Sequence, residues 1–300
     1  MIVQPEVQEA LKNGTPVVAL ESNVISFGQA YPENVAIARA IEAAVREEGA
    51  VPATLAVLGG QLVAGLTGEQ VEHLARSKAV LKCSRRDLPI VAGLGLDGAT
   101  TVGATMIIAH RLGIRVFATG GIGGVHRGHP FDVSSDLEEL GRTPLVVVCS
   151  GAKALLDMEA TVERLETLGV PLLGYGTDQF PAFYSRESGL PVDRRVEGPD
   201  EVVAIARARD ELGLSAAVLV GVPVPAEDEL PRQEAEGAIQ RAVQMADEAG
   251  IHGRYVTPFV LAKVVELTGG RGRAANVSLL VNNARVAARI ARAWAAVERR

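Results

Sequence analysis

Three charged residues stand where short apolar runs end: Glu21 after PVVAL, Lys82 after AVL, and Lys153 close behind PLVVVCS. In open α/β sheets ligands gather at the carboxyl ends of the strands, so chemistry is expected at such positions. A carboxylate at a buried strand end is pushed toward its protonated form and can act as an acid. The plainer role for Glu21 is a helix or loop cap. Lys153 lies in CSGAKALLD, where the local pattern predicts a helix beginning near Ala154. A lysine just inside a helix N-terminus meets the positive end of the dipole, which favours the neutral amine that imine formation needs. A solvated surface lysine is the alternative. Lys82, Arg85 and Arg86 in LKCSRRDLP form a basic cluster suited either to an anion or to a salt-bridged loop.

The stretch FATGGIGGVHRGHPFDVSSDLEEL, Phe117 to Leu140, follows another apolar run. Its glycines predict backbone amides that cradle a phosphate or another oxyanion, with His126 and Arg127 as donors. A tight surface turn with a solvated arginine would use the same residues. Asp132 and Asp136 are spaced i, i+4, and would share a helix face if the helix begins early. One carboxylate and several waters can hold Mg²⁺ or Mn²⁺, although aspartate in a first helical turn also answers the dipole alone. The segment GATTVGATMIIAHRL offers amides at Gly98 to Val102 to an anion, or close helix packing through Gly103 and Ala104. GLGLDG at 93–98 matches a dinucleotide fingerprint literally. It lacks the acidic residue about 20 positions on that the ribose requires.

The elements that must position these groups alternate. Strands are predicted at PVVAL, ATLAVL, AVLKC, IRVFATG, PLVVVCS, VPLLGY and SAAVLVGV. Helices are predicted to start near Glu33, Thr67, Ala99, Ser135, Ala154, Asp200, Glu234, Thr257 and Ala275, with capping boxes at Thr67/Gln70 and Ser135/Glu138. This implies an α/β fold, a largely parallel sheet covered by helices on both faces (α/β/α), in a single domain over residues 1–300. The Pro/Gly/charge-rich stretch 187–201 reads as an excursion over the surface. A formal charge of −6 argues against a nucleic-acid partner. Two cysteines, Cys83 and Cys149, supply neither a disulfide framework nor a four-thiolate zinc site, and point to reduced thiols in the cytoplasm. No signal-peptide pattern and no long apolar run are present, so no membrane association is expected.

Taken in order, ALES, VPATLAVLGG, SRRDLP, GATTV, FATGGIGGVHRG, DVSSDLEEL, GAKALLD, LETLGVPLLGY, FPAFYSR, TPF and NNA resemble the pseudouridine-5'-phosphate glycosidase family from about Pro5 to the C-terminal helix. The resemblance implies reversible cleavage of the C–C bond between uracil and ribose 5-phosphate, a divalent ion (usually Mn²⁺, with Mg²⁺ as a substitute) and a homotrimer. It implies Glu21 as proton donor and Lys153 as covalent nucleophile. It further implies substrate contacts at Lys82, Val102, His126, Ser134, Ser135 and Asp136, and Asp132 as metal ligand. An ordinary glycosidase protonates a leaving oxygen or nitrogen, and a carbon leaving group has no lone pair to protonate. Imine formation at the sugar carbon supplies an electron sink instead. The chain departs from the family's usual ESTIISHG with ESNVISFG, placing Asn23 and Phe27, and from NPIP with VPVP, placing Val222. Two other functions use the same residues: another lysine-imine lyase acting on sugar phosphates, and a non-catalytic sugar-phosphate-binding protein.

Overall fold

The computed structural model describes residues 1–251, 253 and 256–299. Its strands are β1 (Ile2–Val3), β2 (Val17–Glu21), β3 (Val51–Leu58), β4 (Gln61–Ala64), β5 (Leu81–Cys83), β6 (Gly98–Thr100), β7 (Val116–Ala118), β8 (Val125–His126), β9 (His129–Val133), β10 (Val146–Cys149), β11 (Leu156–Asp157), β12 (Leu172–Tyr175), β13 (Arg194–Val196) and β14 (Val218–Gly221). Its helices are α1 (Pro5–Lys12), α2 (Asn23–Phe27), α3 (Glu33–Glu47), α4 (Gly68–Arg76), α5 (Leu88–Gly93), α6 (Val102–Arg111), α7 (Ser135–Leu140), α8 (Met158–Thr167), α9 (Pro199–Glu211), α10 (Arg232–Glu248), α11 (Val256–Leu267) and α12 (Arg271–Glu298).

Every predicted apolar run forms a strand of one sheet, whose main path is β1-β4-β3-β2-β7-β10-β14-β12-β13. From β3 to β13 all neighbours on this path are parallel. β4 and β6 join β3 antiparallel. β2, β7, β10 and β14 are buried along their whole length, as strands covered on both faces must be. α12 packs on β2, β7 and β10 with α3 and α9 beside it, while α6 packs on β2 and β3 with α7 beside it. This is the expected mostly parallel sheet flanked by helices.

α12 buries Leu279, Ala284, Ala287, Ala288, Ile290 and Trp294, and its small residues let a long helix lie close to the strands. Each large apolar side chain so buried contributes about 1.5–3 kcal/mol. β2 pairs with β3 only as far as Glu21 opposite Leu55. Beyond that point β6 takes the vacated edge, pairing at Ala56 and Val57. This handover brings Thr100 to Ser22: Thr100 N donates to Ser22 Oγ at 2.9 Å, and Thr100 Oγ1 donates to Leu55 O at 2.7 Å.

Several local expectations are corrected. Thr67 and Gln70 form the full capping box, but α7 is capped by Ser134, whose hydroxyl accepts from Asp136 N, so Ser135/Glu138 is not one. The helix expected from Ala154 begins at Met158, because 154–155 turn and Leu156–Asp157 pair with β8 first. The helix expected near Ala99 begins at Val102, after β6. The stretch 187–201 is not wholly an excursion, since Arg194–Val196 is the sheet's far edge strand. Cys83 and Cys149 are free and buried, and burial pushes both thiols up to about 12.

Candidate active site

Glu21 ends β2 with 7% of its surface exposed. The hydroxyl of Thr119, the residue after β7, donates to its Oε1. Its Oε2 is buried and has no partner. Burial pushes the carboxyl above its ordinary value. The positive charge of Lys153, the Thr119 hydrogen bond and the charge of Lys82 oppose this, and Asp136 adds to it. This direction agrees with the acid expected at that strand end. Thr119 is itself anchored: Asn283 of α12 donates through Nδ2 to Thr119 O at 2.8 Å and accepts from Ser150 Oγ at 3.1 Å. Asn283 is fully buried and ties the end of β7 to the end of β10. Thr119 and Asn283 were not singled out as site residues. Thr119 obeys the strand-end rule that found Glu21, and Asn283 lies in the NNA motif on the buried, mostly apolar face of α12.

Glu21, Lys82 and Lys153 line one narrow cleft, together with Thr119, Gly120, Gly121 and Asn276. Val24, Phe27, Phe183, Pro258, Leu261 and Leu280 form its apolar wall. The structure therefore brings together the three charged strand-end residues. It corrects the reason given for Lys153, which lies in the turn after β10 and not in a helix, so no helix dipole acts there. Its amide donates to Ile122 O at 3.0 Å, fixing the turn against the glycine-rich stretch. The basic cluster breaks up. Lys82 faces the cleft, Arg85 pairs with the buried Glu139, and Arg86 is exposed.

The glycine-rich stretch GGIGGVHRG, expected to form an oxyanion nest, is a packed crossing from Ile122 to Val125, while Gly120 and Gly121 line the cleft. A side chain at Gly123 would meet Ser134 Oγ at 2.1 Å, and one at Gly124 would meet Thr161 Oγ1 at 2.3 Å. The amides of Ile122, Gly123 and Val125 are spent on Gly151 O, Asp136 Oδ2 and Thr161 Oγ1. Arg127 is not a free donor either. It forms an ion pair with Glu236 of α10, and its Nε donates to Leu156 O at 3.0 Å.

Asp132 and Asp136 do not share a helix face, since Asp132 is on β9 and Asp136 is in α7. Asp136 is buried, and its two oxygens accept from Gly103 N at 2.9 Å and Gly123 N at 3.0 Å. Gly103 is in the first turn of α6, so a protein carboxylate fills that helix's anion position. Of the Gly98–Val102 amides, Thr100 N donates to Ser22 Oγ and Thr101 N to Cys83 O, and α6 is packed through Gly103 against α7. Val102 is buried, Ser134 caps α7, and Ser135 is exposed in a neighbouring groove with Glu138 and Arg164. None of these three lines the cleft.

Asp132 is exposed on β9. His126 on β8 is half-buried, and burial lowers its pKa. The Asp132 carboxylate raises it, and His129 and Lys82 lower it further. His126 thus lies electrically between the cleft lysine and Asp132. No cluster of three or more metal-binding side chains exists among the described residues. One exposed carboxylate beside a histidine fits a hydrated hard cation that keeps most of its waters, and does not fit a closed protein cage. Of the three departures from the family's usual sequence, Asn23 and Phe27 line the cleft. Val222 is buried behind β14, where its amide donates to Cys149 O at 2.8 Å.

The model of the indigoidine synthase A like protein family matches residues 6–293. A pseudouridine-5'-phosphate glycosidase of Paracoccus denitrificans is 54% identical over 297 residues, covering 98% of both chains. One of Methylobacterium nodulans is 53% identical over 289 residues, covering 96% of this chain and 86% of the relative. Among solved structures, the prealnumycin C-glycosynthase AlnA in complex with ribulose 5-phosphate superposes with a TM-score of 0.91 at 40% identity, covering 99% of this chain and 97% of that one. An indigoidine synthase A-like protein from Thermotoga maritima gives 0.89 at 40% identity, covering 97% and 94%. With likeness of this extent over nearly the whole chain, the chain belongs to the pseudouridine-5'-phosphate glycosidase family.

Proposed function

We propose that this protein reversibly cleaves pseudouridine 5'-phosphate to uracil and ribose 5-phosphate through an imine at Lys153. The observation that carries the reading is the Glu21 carboxyl: buried, driven toward its protonated form, its Oε2 unpartnered, and in the same cleft as Lys153. The names of the relatives and the sugar phosphate held by a structural neighbour support the substrate class.

Lys153 Nζ bonds to C1′ as the C1′–O4′ bond breaks, and the proton of Glu21 goes to O4′. Glu21, now ionised, takes a proton from the ammonium nitrogen and passes it to C5 of the base. The freed nitrogen lone pair then forms C1′=N while the C1′–C5 pair returns to the protonated uracil ring. Water adds to the imine and releases ribose 5-phosphate. Thr119 and, behind it, Asn283 hold the acid in place. Lys82 and His126 anchor the sugar phosphate. Val102, Ser134, Ser135 and Asp136 contribute by shaping the backbone around it, because Asp136 is already bonded to two amides. Asp132 would hold Mn²⁺, which when bound supplies positive charge to anionic oxygens of the substrate.

A homotrimer in the cytoplasm belongs to the same proposal. Free buried cysteines support the compartment, and no helix among the described residues is long and apolar enough to cross a membrane. Light scattering at three times 31.4 kDa tests the trimer. The activity is tested with uracil, ribose 5-phosphate and Mn²⁺. A C-nucleotide product is expected. Formation of an imine adduct without any C-nucleotide would favour another sugar-phosphate lyase, and binding without an adduct would favour a sensor.

A further inference from the structure

The cleft contains a second unpaired acceptor that the proposed reaction does not use. Asn23 Oδ1 is buried and has no hydrogen-bond partner. Asn23 is the first residue of α2, directly after Ser22, so it stands two residues from the acid. It does not cap the helix, and Ser22 makes no side-chain cap bond. Val24 and Phe27, from the same short helix, line the cleft beside it as apolar wall. A buried polar atom left without a partner costs about 1–3 kcal/mol, so a site keeps one where a ligand supplies the partner.

The chemistry of the group says what that partner is. A carboxamide presents an acceptor and a donor side by side, and its complement is a lactam or imide edge, an N–H next to a C=O. Uracil carries such edges at N1–H/C2=O and at N3–H with either neighbouring carbonyl. An N-linked uridine has no N–H at N1, whereas the C-linked nucleotide keeps both. The apolar wall that Val24 and Phe27 supply from α2 suits the faces of a planar ring. Glu21 and Lys153, in contrast, have their work at the bonds that C1′ makes to O4′ and C5.

We propose that Asn23 reads an N–H/C=O edge of the leaving base, and so sets base specificity from α2 while Glu21 and Lys153 act on the sugar. This rests on the reading of the reaction given above. It makes the substrate class C-nucleotides whose base has an unsubstituted lactam edge.

The test uses the synthesis direction, where base and sugar phosphate vary independently. Asn23→Leu, close in volume and without hydrogen-bonding groups, is expected to raise KM for uracil about ten- to hundredfold, the loss of one buried hydrogen bond. KM for ribose 5-phosphate and borohydride trapping of the Lys153 adduct should be unchanged. That trapping doubles as the control for folding. Independently, the wild-type protein should discriminate against 1-methyluracil or 3-methyluracil, whichever blocks the edge that is read, and Asn23→Leu should lose this discrimination. The inference is overturned if uracil KM stays within twofold, if both KM values rise together, or if the wild-type protein accepts both methylated bases as well as uracil. Failure of the wild-type protein to form an adduct with ribose 5-phosphate would instead defeat the imine reaction.

Discussion

Replacing Glu21 by glutamine should make the protein more stable and nearly inactive, and the stability gain should depend on pH. The carboxyl is buried, and burial raises it above an ordinary value near 4.5 against the pull of Lys153 and Lys82. A raised carboxyl pKa means that the folded state holds its proton more tightly than the unfolded state. Below pH 4.5 both states are protonated and the ionisation costs nothing. As pH rises through the interval between 4.5 and the raised folded value, the unfolded chain ionises first and stability falls. Above that interval the deficit is constant. An ionised, half-satisfied carboxylate in the interior costs about 1–3 kcal/mol, and Glu21→Gln removes most of it. For a chain this size, 1 kcal/mol moves the melting point by about 2–4 °C, so the variant should melt roughly 2–10 °C higher at pH 8 and level with wild type at pH 4. In turnover, loss of the proton donor should lower kcat about 10²-fold or more, with substrate affinity kept. Thermal unfolding of both proteins from pH 4 to pH 8 is the assay. Parallel melting curves across that range, or a variant less stable at pH 8, would refute the argument that burial outweighs the two lysines.

Lys153→Arg keeps the charge but cannot form the imine, so borohydride with ribose 5-phosphate should trap no adduct, while peptide mapping of wild type should place it on Lys153 and not on Lys82. Asp132→Ala should weaken Mn²⁺ binding at least tenfold in a paramagnetic titration of the protein without substrate, and unchanged binding would remove Asp132 as ligand. Asn283→Leu strands Thr119 O and Ser150 Oγ inside the protein and should destabilise it by about 2–4 kcal/mol in denaturant unfolding. It should also lower kcat, because the hydroxyl holding Glu21 is no longer fixed, and a KM change alone would contradict that positioning role.

The parallel strands were legible because strands buried on both faces read as unbroken apolar runs, and PVVAL, PLVVVCS and SAAVLVGV do so. Glu21, Lys82 and Lys153 were legible for the same reason: they are the charges at the ends of those runs. What failed was local. ALLD reads as a helix start, yet Leu156 pairs with His126, and this tertiary strand pair overrides propensity for four residues. The glycines of 120–124 promised anion-binding amides. Gly123 and Gly124 are there because Ser134 and Thr161 lie close, and Gly120 and Gly121 because Leu280 and Phe183 do, which no spacing within the stretch reveals. Arg127 looked like a ligand donor because its partner Glu236 lies 109 residues away. The five residues of α2 are too few to show a helical period, so Asn23 and Phe27 stood out in the sequence only as departures from the family pattern, and their place in the cleft wall emerged from the fold.

The anchoring of Thr119 by Asn283 spans 164 residues of chain. During synthesis the acid, its hydroxyl partner and the lysine all leave the ribosome long before α12 is made. Until that helix docks, the floor beneath β7 and β10 is missing, and Thr119 and Ser150 have no tether. Partial chains should therefore be inert even when they contain Glu21, Thr119, Lys82 and Lys153. The same dependence makes α12 a natural complementation fragment: residues 271–299 supplied as a separate peptide to the truncated remainder should restore turnover in proportion to the helix bound.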